Sequence, residues 1–443
     1  MKQQLFFLAF LIIPFYGAVC EEVQWPQWRG GNHDSVSNEL NIPSTWNEQT
    51  GENILWIKPL PQWGHSTPAV WGDKMFLTAE LENGDLSCYC LNRNDGSEIW
   101  KRTVSNANEN LFPEGSRWYE ATQTRRVQKF RDEHNLASPS PVTDGEIVAF
   151  HFGNGEIVVF DLDGTELWRT NLQKDYGPFS IWWGHANSPV LYRNLIIFTV
   201  LQDPCMTDDG KILNDSYLIA YERKTGKIVW RTLRNTGVKD EPADGYVTPP
   251  LQFVNGKPQI LVLAGLCADA YNPETGERIW YYPDLIGNRN ISCPTFAGNV
   301  GIFVQGYRKG IVALPLDKTG KLEKTDVLWT QRRDCPDCTN PLYYKGLVFT
   351  ADNGGKLQCL DAQTGEIYWK TKQDGDHRCS PFGVSGNVIF FNTSGRAVVM
   401  KADKEQTEVA VNQIDDVTYA LPIVVDGKLY LRGKTKLYCI GTK

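Results

Sequence analysis

The sequence predicts an all-β protein, an eight-bladed β-propeller of four-stranded antiparallel blades, on three observations. A short unit recurs along most of the chain, a proline runs in phase with it, and an incomplete unit at one end is complemented at the other. The clearest copy of the unit is Cys-Leu-Asp-Ala-Gln-Thr-Gly-Glu-Ile-Tyr-Trp at 359–369. An apolar strand end, Asp361, a turn closing on Gly365 and a strand carrying Trp369 read as two antiparallel strands joined by a hairpin. Related copies end at Trp100, at Trp230 after Gly226 and at Trp280 after Gly276; a shorter one ends at Trp168 and a degenerate one at Trp329. Glycine permits the positive φ of a tight turn. The Trp buries a large flat face against the next unit while its N–H finds an acceptor. Trp56, Trp100, Trp168, Trp230, Trp280, Trp329 and Trp369, with Gly226, Gly276 and Gly365, are therefore assigned to docking blade on blade.

The phased prolines are Pro68, Pro141, Pro189, Pro250, Pro294, Pro341, Pro381 and Pro422. Proline suits the first residue of a strand, where a missing N–H removes no ladder bond. Successive docking Trp residues lie between 40 and 68 residues apart. Units of four short strands with loop insertions behave this way, and a radial propeller stacks them. Ile54–Lys58 reads as the last strand of a unit that lacks its first three. Residues 421–425, 428–432 and 435–440 are three strands with no Trp strand after them. Pairing the two ends makes the eighth blade and closes the ring without an open edge.

Residues 53–443 are thus expected to form one propeller domain. Residues 21–52 contain Trp25, Trp28 and Trp46 but no strand alternation, and are expected to pack on the ring as an extended arm. Residues 1–20 carry Lys2, an apolar run from Leu5 to Phe15 and small residues before Glu21-Glu22, the pattern of a secretory signal peptide. The alternative is a lipid anchor at Cys20. The run is short of the ~20 residues that a membrane span needs. A periplasmic or extracellular monomer is expected. The net charge of −7 disfavours nucleic acid as a partner, since phosphate binding needs a basic face. The basic run Arg125, Arg126, Lys129, Arg131 is interrupted by Asp132 and Glu133 and reads as a solvated loop or short helix.

Within the first full blade the strands are expected at 69–70, 75–78, 86–91 and 98–104, inner to outer. The links 71–73 and 94–96 are short, which leaves one face of the disc plain. The insertions 105–137, 170–186, 202–215, 231–246 and 281–291 gather on the other face. Long loops on one side of a rigid scaffold are where function is usually placed.

Residues just before each blade-opening proline should line the channel mouth there. They are His65 and Ser66, His185 and Asn187, Tyr246 and Thr248, Asn290 and Cys293, Cys338 and Asn340, His377, Arg378 and Cys379, and Tyr419. They can form a polar funnel for a ligand or tie the loops together. Trp182-Trp183-Gly184-His185 adds adjacent aromatics that can stack on a sugar or planar cofactor, or act as a lid. The ligand-binding candidates are His65, Trp182, Trp183, His185, Asn187, Tyr246, His377, Arg378 and Tyr419. Cys90, Cys359 and Cys439 share a third-strand position where a small buried residue is wanted. Cys335 and Cys338 suit a disulfide in an exported chain; Cys293, Cys338 and Cys379, with Cys335 or His377, are the weaker candidates for a metal site at the mouth. No G-x-S-x-G, H-E-x-x-H or Walker loop is present, and no catalytic residue is assigned.

The 359–369 unit resembles the tryptophan-docking repeat of quinoprotein dehydrogenases, Ala-x-Asp-x-x-Thr-Gly-x-x-x-Trp, with Cys in place of Ala. The resemblance covers roughly residues 53–440, and Trp25-Pro-Gln-Trp-Arg-Gly is similar to the start of many exported bacterial members. It implies a PQQ-like propeller; the repeats hold blades together and do not bind quinone. Family enzymes add a vicinal disulfide beneath pyrroloquinoline quinone (PQQ), a calcium site with Glu and Asn ligands, and a catalytic Asp. This chain has no adjacent cysteines, and its length is nearer that of the scaffold lipoprotein of outer-membrane β-barrel assembly. The expectation is a non-catalytic binding or scaffold protein that takes a protein, peptide or glycan on its looped face, without a cofactor. The alternative is a divergent dehydrogenase for an alcohol or sugar that uses PQQ with calcium.

Overall fold

The structure, a computed structural model, describes residues 24–60, 63–123, 128–130, 134–206, 212–214 and 216–442. The expected signal peptide with Cys20, and Arg125, Arg126 and Arg131 of the basic run, lie outside the described residues.

Eight antiparallel four-stranded blades form the ring. Blade one is Ala69–Trp71, Lys74–Glu80, Asp85–Asn92 and Glu98–Asn106, in the inner-to-outer order its sequence dictates. Blade eight is Ile423–Val425, Lys428–Arg432, Lys436–Ile440 and, from the other end of the chain, Ile54–Pro59. Trp56 lies opposite Cys439 in that closing pair.

The docking unit works as its composition requires. Trp100, Trp168, Trp230, Trp329 and Trp369 donate their indole N–H groups to carbonyls in the next blade, those of Leu162, Arg223, Pro273, Ala362 and Asp403, at 2.9–3.1 Å. Each ring also covers the turn glycine beyond it where one is present. A Cβ at Gly365, φ +73°, would lie 2.6 Å from the Trp329 ring, and Gly226 and Gly276 stand in the same relation to Trp168 and Trp230. Cys90, Cys359 and Cys439 face Trp100, Trp369 and Trp56 across the ladder and are fully buried. In seven of the eight outer strands the residue beside or just before the Trp position is bulged out of register. The bulge turns that residue to solvent, which accounts for exposed Ile99, Leu167, Val229 and Val409.

Blade five departs from the pattern. Its third-to-fourth connection, 317–328, is an insertion on the otherwise plain face, and its Gly320–Lys321 strand pairs in parallel with the outer strand of blade four. Trp280 therefore donates within its own blade, to Gln259 at 3.2 Å.

Residues 24–37 enter the central channel from the plain face and turn back inside it. Gln24–Trp25 pairs with the inner strand of blade one. Pro26 accepts from Thr143 N–H, and the Gln27 amide oxygen accepts from Leu191 N–H. Asn32 accepts from Gln252. Arg29 donates to the carbonyls of Pro294 and Pro341, and Ser35 and Ser37 bond Gly383. Trp25 packs on Phe382, beside the inner strand of blade eight. The segment thus touches the inner strand of every blade and closes the channel. Residues 38–52 leave between blades seven and eight, where Trp46 stacks on Phe391 and Lys436 pairs with Glu48 at 2.8 Å.

Candidate functional site

Extended backbone turns successive side chains to opposite sides, and that alternation in the segments leading into the inner strands builds the site. Counted back from Pro68, Pro141, Pro189, Pro249, Pro294, Pro341, Pro381 and Pro422, the third residues are His65, Ser138, Ala186, Tyr246, Ile291, Cys338, Arg378 and Tyr419. These eight, one per blade, ring a funnel on the looped face, with Trp28 of the channel segment as its floor. Blade four is phased by Pro249 rather than by the expected Pro250, its inner edge carrying one extra residue. His134, Trp183, Arg289, Tyr307, Asp337 and Asn353 raise the wall, and the upper cavity holds about 470 Å³.

The residues immediately before the prolines form a second ring below, around a throat of about 150 Å³. From Thr67 round to Asn340, each N–H in this ring donates to the side chain at the same place in the next blade. Thr67 donates to Ser140 at 2.9 Å, Ser140 to Ser188 at 2.9 Å and Ser188 to Thr248 at 2.8 Å. Thr248 reaches the Cys293 thiol, Cys293 donates to Asn340 at 2.6 Å, and Asn340 to Ser380 at 2.9 Å. Thr67 Oγ1 closes the belt on the Leu421 carbonyl. Seven seams between blades are thereby stitched by backbone bonds or hydroxyls at one level, which makes the throat rigid.

Among the expected ligand residues, His65, Trp183, Tyr246, Arg378 and Tyr419 meet in the funnel. His65 packs between Trp63 and Tyr419, with ring centroids 5.2 and 4.5 Å away, and burial pushes its pKa well below the usual range. Trp183 takes Tyr246 Oη on its N–H at 3.0 Å and offers its carbonyl to His134 at 2.6 Å. Arg378 pairs with Asp376 at 2.8 Å, and Arg289 with Asp337 at 3.3 Å. Burial raises the Asp337 pKa.

Even-numbered offsets point the other way. His185 and His377 stand four residues before their prolines, Asn187 two, and all three are buried behind the lining. His185 packs on His151 and Phe179, Asn187 bonds Thr199 and the Val247 carbonyl, and His377 faces the Gly375 carbonyl. Trp182 donates its N–H to Asp244 and is not part of the lining. The expected Cys335–Cys338 disulfide is not formed. Cys335 Sγ lies against the Gln331 and Arg333 carbonyls, whereas Cys338 Sγ turns toward Asp337 and Asn353 at the funnel wall. Cys379 Sγ is directed to the Ala420 carbonyl, so the three thiols do not converge, and no group of three His, Cys, Asp or Glu suited to a metal occurs among the described residues.

The unforeseen members are Trp28, His134, Ser138, Ala186, Arg289, Ile291, Tyr307, Asp337 and Asn353. Two guanidiniums are also buried near the channel without an ion pair among the described residues. Arg29 is bonded to Ser35, Pro294, Thr295 and Pro341, and Arg432 to Ser66 and Thr78. Burial depresses both, Arg432 to about 9.

Buried neutral histidine gives this face a pH dependence. Burial lowers His151 to about 4, with one ring nitrogen on the Glu156 carbonyl at 3.0 Å. An unfolded His151 takes up its proton near pH 6.5 while the folded one does not, so stability is full above pH 6.5 and is lost as pH falls to about 4. The expected loss from this residue is about 3 kcal/mol. Urea unfolding of wild type and His151→Gln across that range checks it; the variant should show the shallower slope.

Among the described residues no helix is long and apolar enough to cross a membrane. No curated protein matches the chain. Solved structures of the same fold include BamB from Moraxella catarrhalis, with 12% identity, TM-score 0.58, and 87% of this chain and 99% of that one covered. The quinohemoprotein alcohol dehydrogenase of Comamonas testosteroni has 12% identity and TM-score 0.62, covering 95% and 81%. A europium-containing methanol dehydrogenase has 12% identity and TM-score 0.63, covering 95% and 98%. These likenesses establish the fold. A family model described as outer membrane protein assembly factor BamB matches residues 44–182, 87–371 and 322–440, and the chain therefore belongs to that PQQ-repeat family.

Proposed function

We propose that the chain is an exported, non-catalytic binding protein that holds a protein, peptide or glycan on its looped face. The observation that carries this reading is the donor set of the funnel. Calcium takes six to eight oxygen ligands, usually several from carboxylates, and among the described residues the funnel wall has one carboxylate, Asp337, already paired with Arg289. The described residues therefore do not fit the calcium site that PQQ enzymes of this fold use. The family match to an assembly factor and the signal-peptide pattern support export and a scaffolding role. A PQQ-dependent dehydrogenase is the second reading, favoured by the aromatic planes of Trp28 and Trp183 in one cavity. Dye reduction with PQQ, calcium and a panel of alcohols and sugars separates them. No quinone-dependent turnover is expected, and turnover of any substrate overturns the reading.

A further inference from the structure

We propose that the throat beneath the funnel is an oxyanion site, which takes either a free inorganic oxyanion or the carboxylate end of a larger ligand. It deepens the binding reading above and rests on it, because the throat shares its upper lining with the funnel.

The argument starts from protons that have nowhere to go. Ser140, Ser188, Thr248 and Ser380 each accept an N–H from the neighbouring blade. A hydroxyl that accepts still has its own O–H to donate, and none of these four donates to an acceptor among the described residues. They are 2%, 5%, 5% and 8% exposed, and all four line the throat. A buried donor without an acceptor is costly, and the cost disappears when an acceptor arrives. Four such donors converging on about 150 Å³ call for a compact group that only accepts.

Charge points the same way. Arg29 is fully buried, directly beside the Cys293 and Asn340 side of the throat, through its bonds to Pro294, Thr295 and Pro341. All its hydrogen-bond partners are neutral oxygens; the Asp34 carboxyl acts on it only from beyond ion-pair distance. A buried cation without a counter-ion is stabilised by any anion that reaches it. A neutral polyol would supply acceptors but not charge, whereas a phosphate, sulfate or carboxylate supplies both and fits the volume.

Ala186 gives a test that leaves the belt intact, since its side chain lines both cavities and makes no hydrogen bond. The protein is titrated with sodium phosphate, sodium sulfate and sodium acetate at constant ionic strength, by calorimetry and by tryptophan fluorescence, alongside Ala186→Asp and Ala186→Asn. Saturable binding is expected for wild type and Ala186→Asn, weakened roughly tenfold or more in Ala186→Asp by like-charge repulsion in a low-dielectric throat. Binding of phosphate or sulfate assigns a free oxyanion, and binding of acetate alone assigns a carboxylate end. Absence of saturable binding by all three, or equal binding by Ala186→Asp with an unchanged melting curve, overturns the proposal. Neither of those failures touches the non-catalytic reading, which falls only to quinone-dependent turnover.

Discussion

Asp269→Ala is expected to destabilise the protein by about 3–5 kcal/mol, the range for removing one partner of a buried ion pair. Arg234, at the end of the outer strand of blade three, reaches over blade four and grips Asp269 through Nε and Nη2 at 3.0–3.1 Å. The two side chains are 2% and 0% exposed. Tyr271 Oη donates to the same carboxylate at 2.9 Å, and the Ala264 and Cys267 carbonyls also accept from Nη2. Removing the carboxylate strands a cation where water does not reach. Removing both charges is far milder, so Arg234→Met with Asp269→Leu should recover most of the loss in urea unfolding. If the double variant is as unstable as Asp269→Ala, the penalty comes from lost packing and not from the stranded charge.

Trp329→Ala is expected to lose a similar amount, about 3–5 kcal/mol, because it empties a large aromatic site. The ring is 8% exposed, lies against Gly365 in blade six and donates to the Ala362 carbonyl at 3.0 Å. Trp280→Ala should be equally costly for a different reason, since its indole is committed within blade four. The distinction is measurable. A Gln259→Leu background should lessen the cost of Trp280→Ala and leave that of Trp329→Ala unchanged, as a double-mutant cycle in denaturant would report.

The fold was legible because each blade must solve the same problem with the same residues. A turn glycine under a neighbour's Trp and a proline at the strand start recur wherever a blade is built, so repetition carries the architecture. The site repeats in position but not in chemistry. Selecting polar residues near the prolines gathered His65, Arg378 and Tyr419 with His185 and His377, although a strand sends alternate residues to opposite sides. Counting by odd offsets alone would have kept His65, Cys338, Arg378 and Tyr419, added Ser138, Ala186 and Ile291, and set His185 and His377 behind the wall. Blade four would still have misled, since Pro249 and Pro250 both satisfy the pattern. Trp28 and Arg29 stood out only in the family-like opening Trp25-Pro-Gln-Trp-Arg-Gly, which does not place them at the site. They lie in an aperiodic polar segment, and their role exists only once eight inner strands surround them. Asp337 and Arg289 lie in the links that lead into two consecutive blades, so only the packing of blade on blade brings them to 3.3 Å.

The most direct test of the funnel as a non-catalytic binding site is a titration of the protein with PQQ, with and without calcium, followed by the fluorescence of tryptophans that include Trp28 and Trp183 and by cofactor absorbance. With Asp337 the one wall carboxylate among the described residues and committed to Arg289, the expected result is no saturable, calcium-dependent binding. Micromolar binding that requires calcium and is lost in Asp337→Asn would contradict the account and make the funnel a quinone site.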